Sequence, residues 1–308
     1  MEKRKIFVIG HKNPDTDSVC SAIAYAQLKN EIDTENEYIP LRAGQTNEET
    51  QYVLKQFGVN APQYVMDVKS QVKDIEIRKV DGVDRNISIK AAWKLMRDIG
   101  VVTLPITRDN KLEGLITIAD IATSYMDVHD STTLSTARTV CKNIVETLDG
   151  ALIIGDEEHV FDRGKVLVAA ANPDLMESYI RMGDIVILGN RYESQLCAIE
   201  MQAGCIVVCE GAPVSMTIKK LAVENHCTII STPHDTFTAS RLINQSVPIS
   251  FFMRTEGLIT FSTEAYTDEV RQVMAKKRHR DFPIHDEQGN YIGMISRRNL
   301  LGMGKKQI

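Results

Sequence analysis

In residues 5–67 the apolar positions fall in short runs divided by turn-forming residues. Ile6-Phe7-Val8-Ile9 predicts a strand over 5–9, and the Ala-rich stretch that follows predicts a helix over 19–29. A second strand is expected over 37–41 and a second helix over 48–57, after Ala43-Gly44-Gln45-Thr46-Asn47. Thr46 and Glu49 have the spacing of a capping box at that helix start. Strand and helix alternating in this way imply a parallel, doubly wound sheet, whose ligands gather at the carboxyl ends of its strands.

Farther on, a pattern occurs twice. Trp93-Lys94-Leu95-Met96 leads to Leu104-Pro105-Ile106 and then to Gly114-Leu115-Ile116-Thr117, with Asp120 beyond. Gln272-Val273-Met274 leads to Phe282-Pro283-Ile284 and then to Gly293-Met294-Ile295-Ser296, with Asn299 beyond. Each copy reads as helix, strand, polar turn, Gly-led strand and helix, and the second turn holds one extra residue. Two distant copies make a paired module rather than a solenoid. Trp93 belongs to an amphipathic pattern with Met96 and is expected in the core. Between the copies, apolar strands at 151–154, 166–168, 184–188, 205–208 and 228–230 alternate mostly with helical patterns. They suggest an independent α/β domain inserted between the repeats.

A formal charge of −5 argues against general nucleic-acid binding, which favours a basic surface. No apolar run approaches the ~18 residues of a membrane span. Four apolar residues after Lys5 are too few for a signal-peptide core. Six cysteines without a CxxC pair, several within apolar runs, read as buried free thiols of a reducing compartment. The expected location is cytoplasmic.

The segment from Gly10 to Ser18 carries His11, Asp15 and Asp17 where the first strand ends. One imidazole and two carboxylates suit hard divalent ions such as Mn²⁺ or Mg²⁺. For an isolated motif a plainer reading competes, in which Asp17 or Ser18 caps the following helix. A run of five basic residues, Lys276 to Arg280, is unusual in an acidic chain and would ordinarily be a solvated helix end. His234 and Asp235 read as a strand-to-helix loop with Asp as its cap.

With these residues in view, 11–18, the Ser21-Ala22-Ile23-Ala24 stretch and Arg42-Ala43-Gly44-Gln45-Thr46-Asn47 together resemble the start of the DHH-superfamily family II inorganic pyrophosphatases. The repeats are similar to cystathionine-β-synthase (CBS) domains and the middle region to a DRTGG domain. Asn190-Arg191 and Cys209-Glu210-Gly211 replace that domain's name-giving residues. The order is that of the nucleotide-regulated pyrophosphatases. The resemblance implies an α/β fold in which a partial doubly wound parallel-sheet DHH domain is interrupted by a CBS–DRTGG–CBS insert. The implied boundaries are 1–67 for the DHH part, 68–128 for the first CBS domain, 129–247 for the DRTGG-like domain, 248–303 for the second CBS domain and 304–308 for a return to DHH.

The resemblance further implies two Mn²⁺ (or Co²⁺ or Mg²⁺) ions per complete site, with His11 and Asp15 on one and Asp17 on the other, and pyrophosphate as substrate. It implies AMP, ADP or a diadenosine polyphosphate as regulator and a homodimer formed through the CBS and DRTGG parts, with no nucleic-acid or membrane partner. Thr117 would meet a phosphate and Asp120 both ribose hydroxyls, where the plainer reading of the pair is a helix N-cap with an exposed Asp. Ser296 and Asn299 form a weaker half-site, because an amide lacks the charge-assisted acceptor. Arg254 and Arg280 are assigned to phosphate. The family's Asp-His-Asn and Asp-His-His motifs do not occur in these 308 residues, so the expectation is a truncated chain, inactive alone. The competing expectation is a nucleotide-sensing CBS–DRTGG module without catalysis.

Overall fold

The computed structural model describes residues 3–66, 69–126, 130–277 and 279–302. The chain divides into two compact units, Met1–Gln71 and Val72–Ile308.

In the first unit β1 (Arg4–Ile9), α1 (Thr16–Ile32), β2 (Asn36–Arg42), α2 (Glu48–Gln56) and β3 (Gln63–Tyr64) build a sheet of order β1-β2-β3. β1 and β2 run parallel from Arg4↔Asn36 to Ile9↔Leu41, and β3 adds in parallel to β2. α1 buries Val19, Ala22 and Ala26, one face at helical spacing. Asp33 closes the turn into β2, accepting from the Glu35 and Asn36 amides, the Asn36 side chain and the Tyr38 hydroxyl. These bonds, that from the Asn36 side chain foremost, hold its carboxyl well below the usual range. Phe7, Tyr52 and Phe57 stay exposed, and all three hydrophobic clusters among the described residues lie in the other unit.

The second unit opens with α3 (Ile89–Ile99), the hairpin β4 (Thr103–Arg108) and β5 (Lys111–Thr117), and α4 (Ile118–Met126). Asp109 and Asn110, both at positive φ, make the hairpin turn. Next come α5 (Thr133–Thr136), β6 (Thr139–Val140), α6 (Cys141–Thr147), β7 (Ala151–Ile154), β8 (Val160–Phe161) and β9 (Val166–Val168). They are followed by α7 (Pro173–Tyr179), β10 (Ile185–Leu188), α8 (Tyr192–Glu200), β11 (Cys205–Val208), α9 (Met216–Glu224), β12 (Thr228–Ser231) and α10 (Thr236–Leu242). The second repeat is β13 (Phe261–Ser262), α11 (Thr267–Lys276), β14 (Asp281–His285), β15 (Tyr291–Ser296) and α12 (Arg297–Gly302). Residues 304–308, where a return to the DHH domain is expected, lie with 303 outside the described residues.

The central sheet has the order β7-β12-β11-β10-β9, with β9 to β12 parallel and β7 antiparallel at the edge. Its strands read as continuous apolar runs because both faces are covered. Val186, Leu188, Ile206 and Val208 face one cluster with Met176, Ala198 and Ile218 of α7, α8 and α9. Ile185, Ile187, Cys205 and Val207 face another, which also holds Ala92, Met96, Leu104 and Ile116 of the first repeat. The first repeat therefore shares its core with the middle sheet, which is not packed as an independent domain. The second repeat has a cluster of its own, around Val270, Met274, Phe282 and Ile284.

Three local expectations are corrected. The cap of α2 is Asn47, whose side chain accepts from the Thr50 amide, rather than Thr46. Trp93 is 39% exposed, while Met96 one turn on is buried. α1 is capped by Asp15, whose Oδ1 accepts from the Ser18 amide, rather than by Asp17 or Ser18. The other readings stand: Asp235 caps α10, and five of the six cysteines are buried free thiols, Cys20 being half-buried. Burial pushes the Cys141 and Cys227 thiols up to about 12, which keeps them inert.

Candidate functional sites

The turn after β1 is shaped by two close approaches. A Cβ on Gly10 would fall 1.9 Å from Ser18 Oγ, and one on Gly44 would meet Pro14 Cδ at 2.6 Å. Side chains at these positions would push the loop off the start of α1. Asn13 takes a left-handed conformation, and Thr16 Oγ1 lies 3.1 Å from Thr50 Oγ1, which ties the start of α1 to α2.

On this loop His11 Nε2 lies 3.4 Å from Asp15 Oδ1, both side chains being about 60% exposed. His11 Nδ1 is 3.2 Å from the Lys12 carbonyl, an acceptor only. That contact favours the proton on Nδ1 and leaves the Nε2 lone pair for a metal, as ligating histidines are commonly arranged. The hydrogen bond from the Ser18 amide lowers the Asp15 carboxyl, which keeps it ionised as a ligand must be. Asp17 is turned along the helix, its Oδ1 3.3 Å from Ser21 Oγ. Among the described residues no three His, Cys, Asp or Glu side chains converge on one point. The donors fit a Mn²⁺- or Co²⁺-type ion in kind, one nitrogen and one oxygen together, but the set is partial.

The repeats enclose a different kind of site. Each Gly-led strand pairs with the linker that precedes the other repeat. Leu115 of β5 exchanges both backbone hydrogen bonds with Arg254, and Met294 of β15 does the same with Arg78. The glycine at each crossing is required by the approach: a Cβ would meet the Arg254 carbonyl oxygen at 2.9 Å from Gly114, or that of Arg78 at 2.7 Å from Gly293. Beside the first crossing lies a cavity of about 580 Å³. Thr117, Arg254 and Arg280 all line it, as three separately assigned residues should if they serve one ligand. His279, Asp281 and Glu256 line it too and were not anticipated. Arg278, in the same basic run, lies outside the described residues.

Asp120 is not open to the cavity in the way the resemblance implies. Its Oδ2 accepts from the Thr117 amide at 2.9 Å and from the Thr117 hydroxyl at 2.6 Å. The Asp120 amide in turn donates to Thr117 Oγ1 at 3.2 Å, a capping box at the start of α4. Asp120 Oδ1 accepts from Arg254 Nε at 3.0 Å and Nη2 at 2.6 Å. The second repeat copies half of this arrangement: Asn299 Oδ1 accepts from the Ser296 amide and hydroxyl at 2.9 and 2.7 Å. Its amide group donates to the Glu76 carbonyl at 3.2 Å. Ser296 and Asn299 do not line the 580 Å³ cavity. Arg78, the counterpart of Arg254, reaches Asp281 instead, at 3.1 Å. Arg78 has a sequence signal in hindsight, since it precedes its repeat much as Arg254 precedes the other.

Comparison with known proteins agrees with these elements. The chain matches the DHH family, N-terminal domain, over residues 5–154, the DRTGG domain over 143–246 and the CBS domain over 250–304. It is 40% identical over 308 residues to a cobalt-dependent inorganic pyrophosphatase of Clostridium perfringens, covering 99% of this chain and 56% of the relative. It is 30% identical over 304 residues to a probable manganese-dependent inorganic pyrophosphatase of Thermotoga maritima, covering 99% of this chain and 55% of that one. The chain thus spans about half the length of these curated relatives. Among solved structures it is similar to the CBS and DRTGG domains of the regulatory region of Clostridium perfringens pyrophosphatase, complexed with the activator diadenosine tetraphosphate. There the TM-score is 0.71 at 37% identity, over 74% of this chain and 100% of that one. No helix among the described residues is long and apolar enough to cross a membrane. Motif turn, central sheet and crossed repeats together place the chain in the family of inorganic pyrophosphatases that join a DHH N-terminal domain to DRTGG and CBS domains.

Proposed function

We propose that this chain supplies the nucleotide-regulated part, and a portion of the metal site, of an inorganic pyrophosphatase that hydrolyses diphosphate to two phosphates. The observation that carries the reading is the 580 Å³ cavity on which Thr117, Arg254 and Arg280 converge, in a region 37% identical to one complexed with diadenosine tetraphosphate. The ligand is an adenine nucleotide: AMP, ADP or a diadenosine polyphosphate. Arg254 and Arg280 take its phosphates, Thr117 stands at the start of α4, and Asp120 serves the sugar. Ser296 and Asn299 form the second, weaker half-site. Regulation follows if the nucleotide binds two arrangements of the repeats with different affinity. The regulated assembly is a homodimer in the cytoplasm.

In the DHH part, two Mn²⁺ or Co²⁺ ions would supply Lewis-acid stabilisation and an activated water. His11 and Asp15 hold one ion, His11 presenting Nε2 and Asp15 its ionised carboxylate. Asp17, two residues farther along, serves the other. Three donors for two ions is a weak set, so the 308 residues alone are expected to show no pyrophosphatase turnover with Mn²⁺. That absence is also what the alternative reading, a nucleotide sensor without catalysis, requires.

Isothermal titration of the intact chain tests the shared core of both readings. Sub-millimolar binding of AMP or diadenosine tetraphosphate is expected, weakened at least tenfold by Asp120→Ala. No heat with any adenine nucleotide would overturn the assignment. Steady phosphate release from pyrophosphate would overturn the claim that this donor set is too weak.

A further inference from the structure

The carboxylate proposed for the sugar is already saturated. Asp120 Oδ2 holds the Thr117 amide and hydroxyl, and Oδ1 holds two nitrogens of Arg254. The Thr117 contacts are local to the helix start and can persist with any ligand. The Arg254 contacts cannot, because a sugar diol needs Oδ1. Arg254 is also the more exposed partner: its side chain is 55% exposed against 13% for Asp120. Its backbone is pinned to Leu115 by hydrogen bonds of 3.0 and 2.9 Å, so only the guanidinium is free to swing.

We infer that Arg254 is a latch on Asp120, opened by the phosphate of the incoming ligand, and that it excludes unphosphorylated nucleosides from the cavity. The inference rests on the nucleotide reading above and adds a basis for selection within it. A nucleoside must break the ion pair and offers the freed guanidinium no anion in return. A nucleotide offers phosphate oxygens, which replace the carboxylate with charge-assisted bonds of the same kind. The exchange therefore costs a nucleotide little and a nucleoside much. Arg280 lines the same cavity and adds a second guanidinium for the phosphate. The second repeat has no such latch, since the Asn299 amide group is held by the Glu76 backbone carbonyl, which no phosphate draws away.

Titrations of the intact chain with adenosine and with AMP, for wild type, Arg254→Gln and Arg254→Lys, test this. In wild type AMP should bind at least 100-fold more tightly than adenosine. In Arg254→Gln adenosine should bind at least fivefold more tightly than in wild type while AMP weakens, so the ratio falls tenfold or more. A gain of adenosine binding cannot come from misfolding. Arg254→Lys, which keeps the charge but loses the fork, should fall between the two. If AMP binds wild type and adenosine gains no affinity in Arg254→Gln, the latch is refuted, whatever the ratio does, and the nucleotide reading survives. If AMP does not bind wild type, the nucleotide reading fails and the latch falls with it.

Discussion

The two repeats share a backbone plan, a glycine crossing and a side chain that reaches back to the helix start, yet they differ where ligand chemistry would be read. In the first, position 120 is a carboxylate because an arginine side chain lies across it. In the second, position 299 is an amide because a backbone carbonyl lies there, and only a group that accepts on one side and donates on the other satisfies both neighbours. From the sequence alone, Asn for Asp reads as a weakened copy of one site. The structure shows a change of partner. The acid has in effect moved from the helix start to the strand start, where Asp281 takes the place of Thr103 and binds the equivalent arginine, Arg78. One Asp281 oxygen is buried without a partner, so the second arrangement is the less satisfied of the two.

The crossings offer the strongest way to break the symmetry. At Gly293 a Cβ would meet the Arg78 carbonyl oxygen and Ile77 Cγ2, both at 2.7 Å, on a residue with φ of +155°. At Gly114 the contacts are the Arg254 carbonyl at 2.9 Å and the flexible Met253 sulfur at 3.1 Å, and no positive φ adds strain. Gly293→Ala should cost ~2–4 kcal/mol in urea unfolding and Gly114→Ala about 1–2 kcal/mol. Equal losses would mean that the two crossings are the same despite their different contacts.

Asn299→Asp comes next. It would set a carboxylate oxygen against the Glu76 carbonyl with no proton between them, a loss of about 1–3 kcal/mol. Unchanged stability, measured in the same unfolding experiment, would show that Asn299 is not chosen by its neighbour.

How much of this was readable beforehand depends on range. Strands and helices announced themselves through local periodicity, and the glycines, prolines and capping pairs of the repeats stood out by recurrence. What escaped is non-local. Arg78 is marked only by preceding its repeat as Arg254 precedes the other, and the pairing of its backbone with Met294, more than two hundred positions away, is what reveals the correspondence. Asp281 is an acid directly after a basic run and became visible only when its strand placed it beside the cavity. Trp93 has core spacing with Met96, but the helix ran out of neighbours on that side. At the turn after β1 the plain reading looked for a cap at Asp17 or Ser18, whereas the cap is Asp15, through the oxygen that also lies nearest His11.

The smallest difference between the repeats concerns how each first helix is anchored. Lys90 at the start of α3 donates to the Thr147 carbonyl at 2.8 Å and to both Asp149 oxygens at 3.1 Å, and His234 Nε2 lies 3.1 Å from Asp149 Oδ2. Among the described residues its counterpart Asp268 pairs only within its own helix, with Arg271 at 3.3 Å. Partial burial acts to raise the Asp149 carboxyl, but the bonds from His234 and Lys90 outweigh it and hold the group below its ordinary value. A carboxyl lowered by folding adds stability above its unfolded pKa, ~3.9, and that stability is lost as pH falls through the folded value. Because Asp149 is 58% exposed, solvent screening leaves only ~0.5 kcal/mol. Asp149→Asn, which tolerates the left-handed φ of 48°, should lower stability by that amount at pH 7 and match wild type near pH 3. A deficit that persists at pH 3 would assign the anchor to packing rather than to charge, and the first repeat would then be held to the central sheet by its shared core alone.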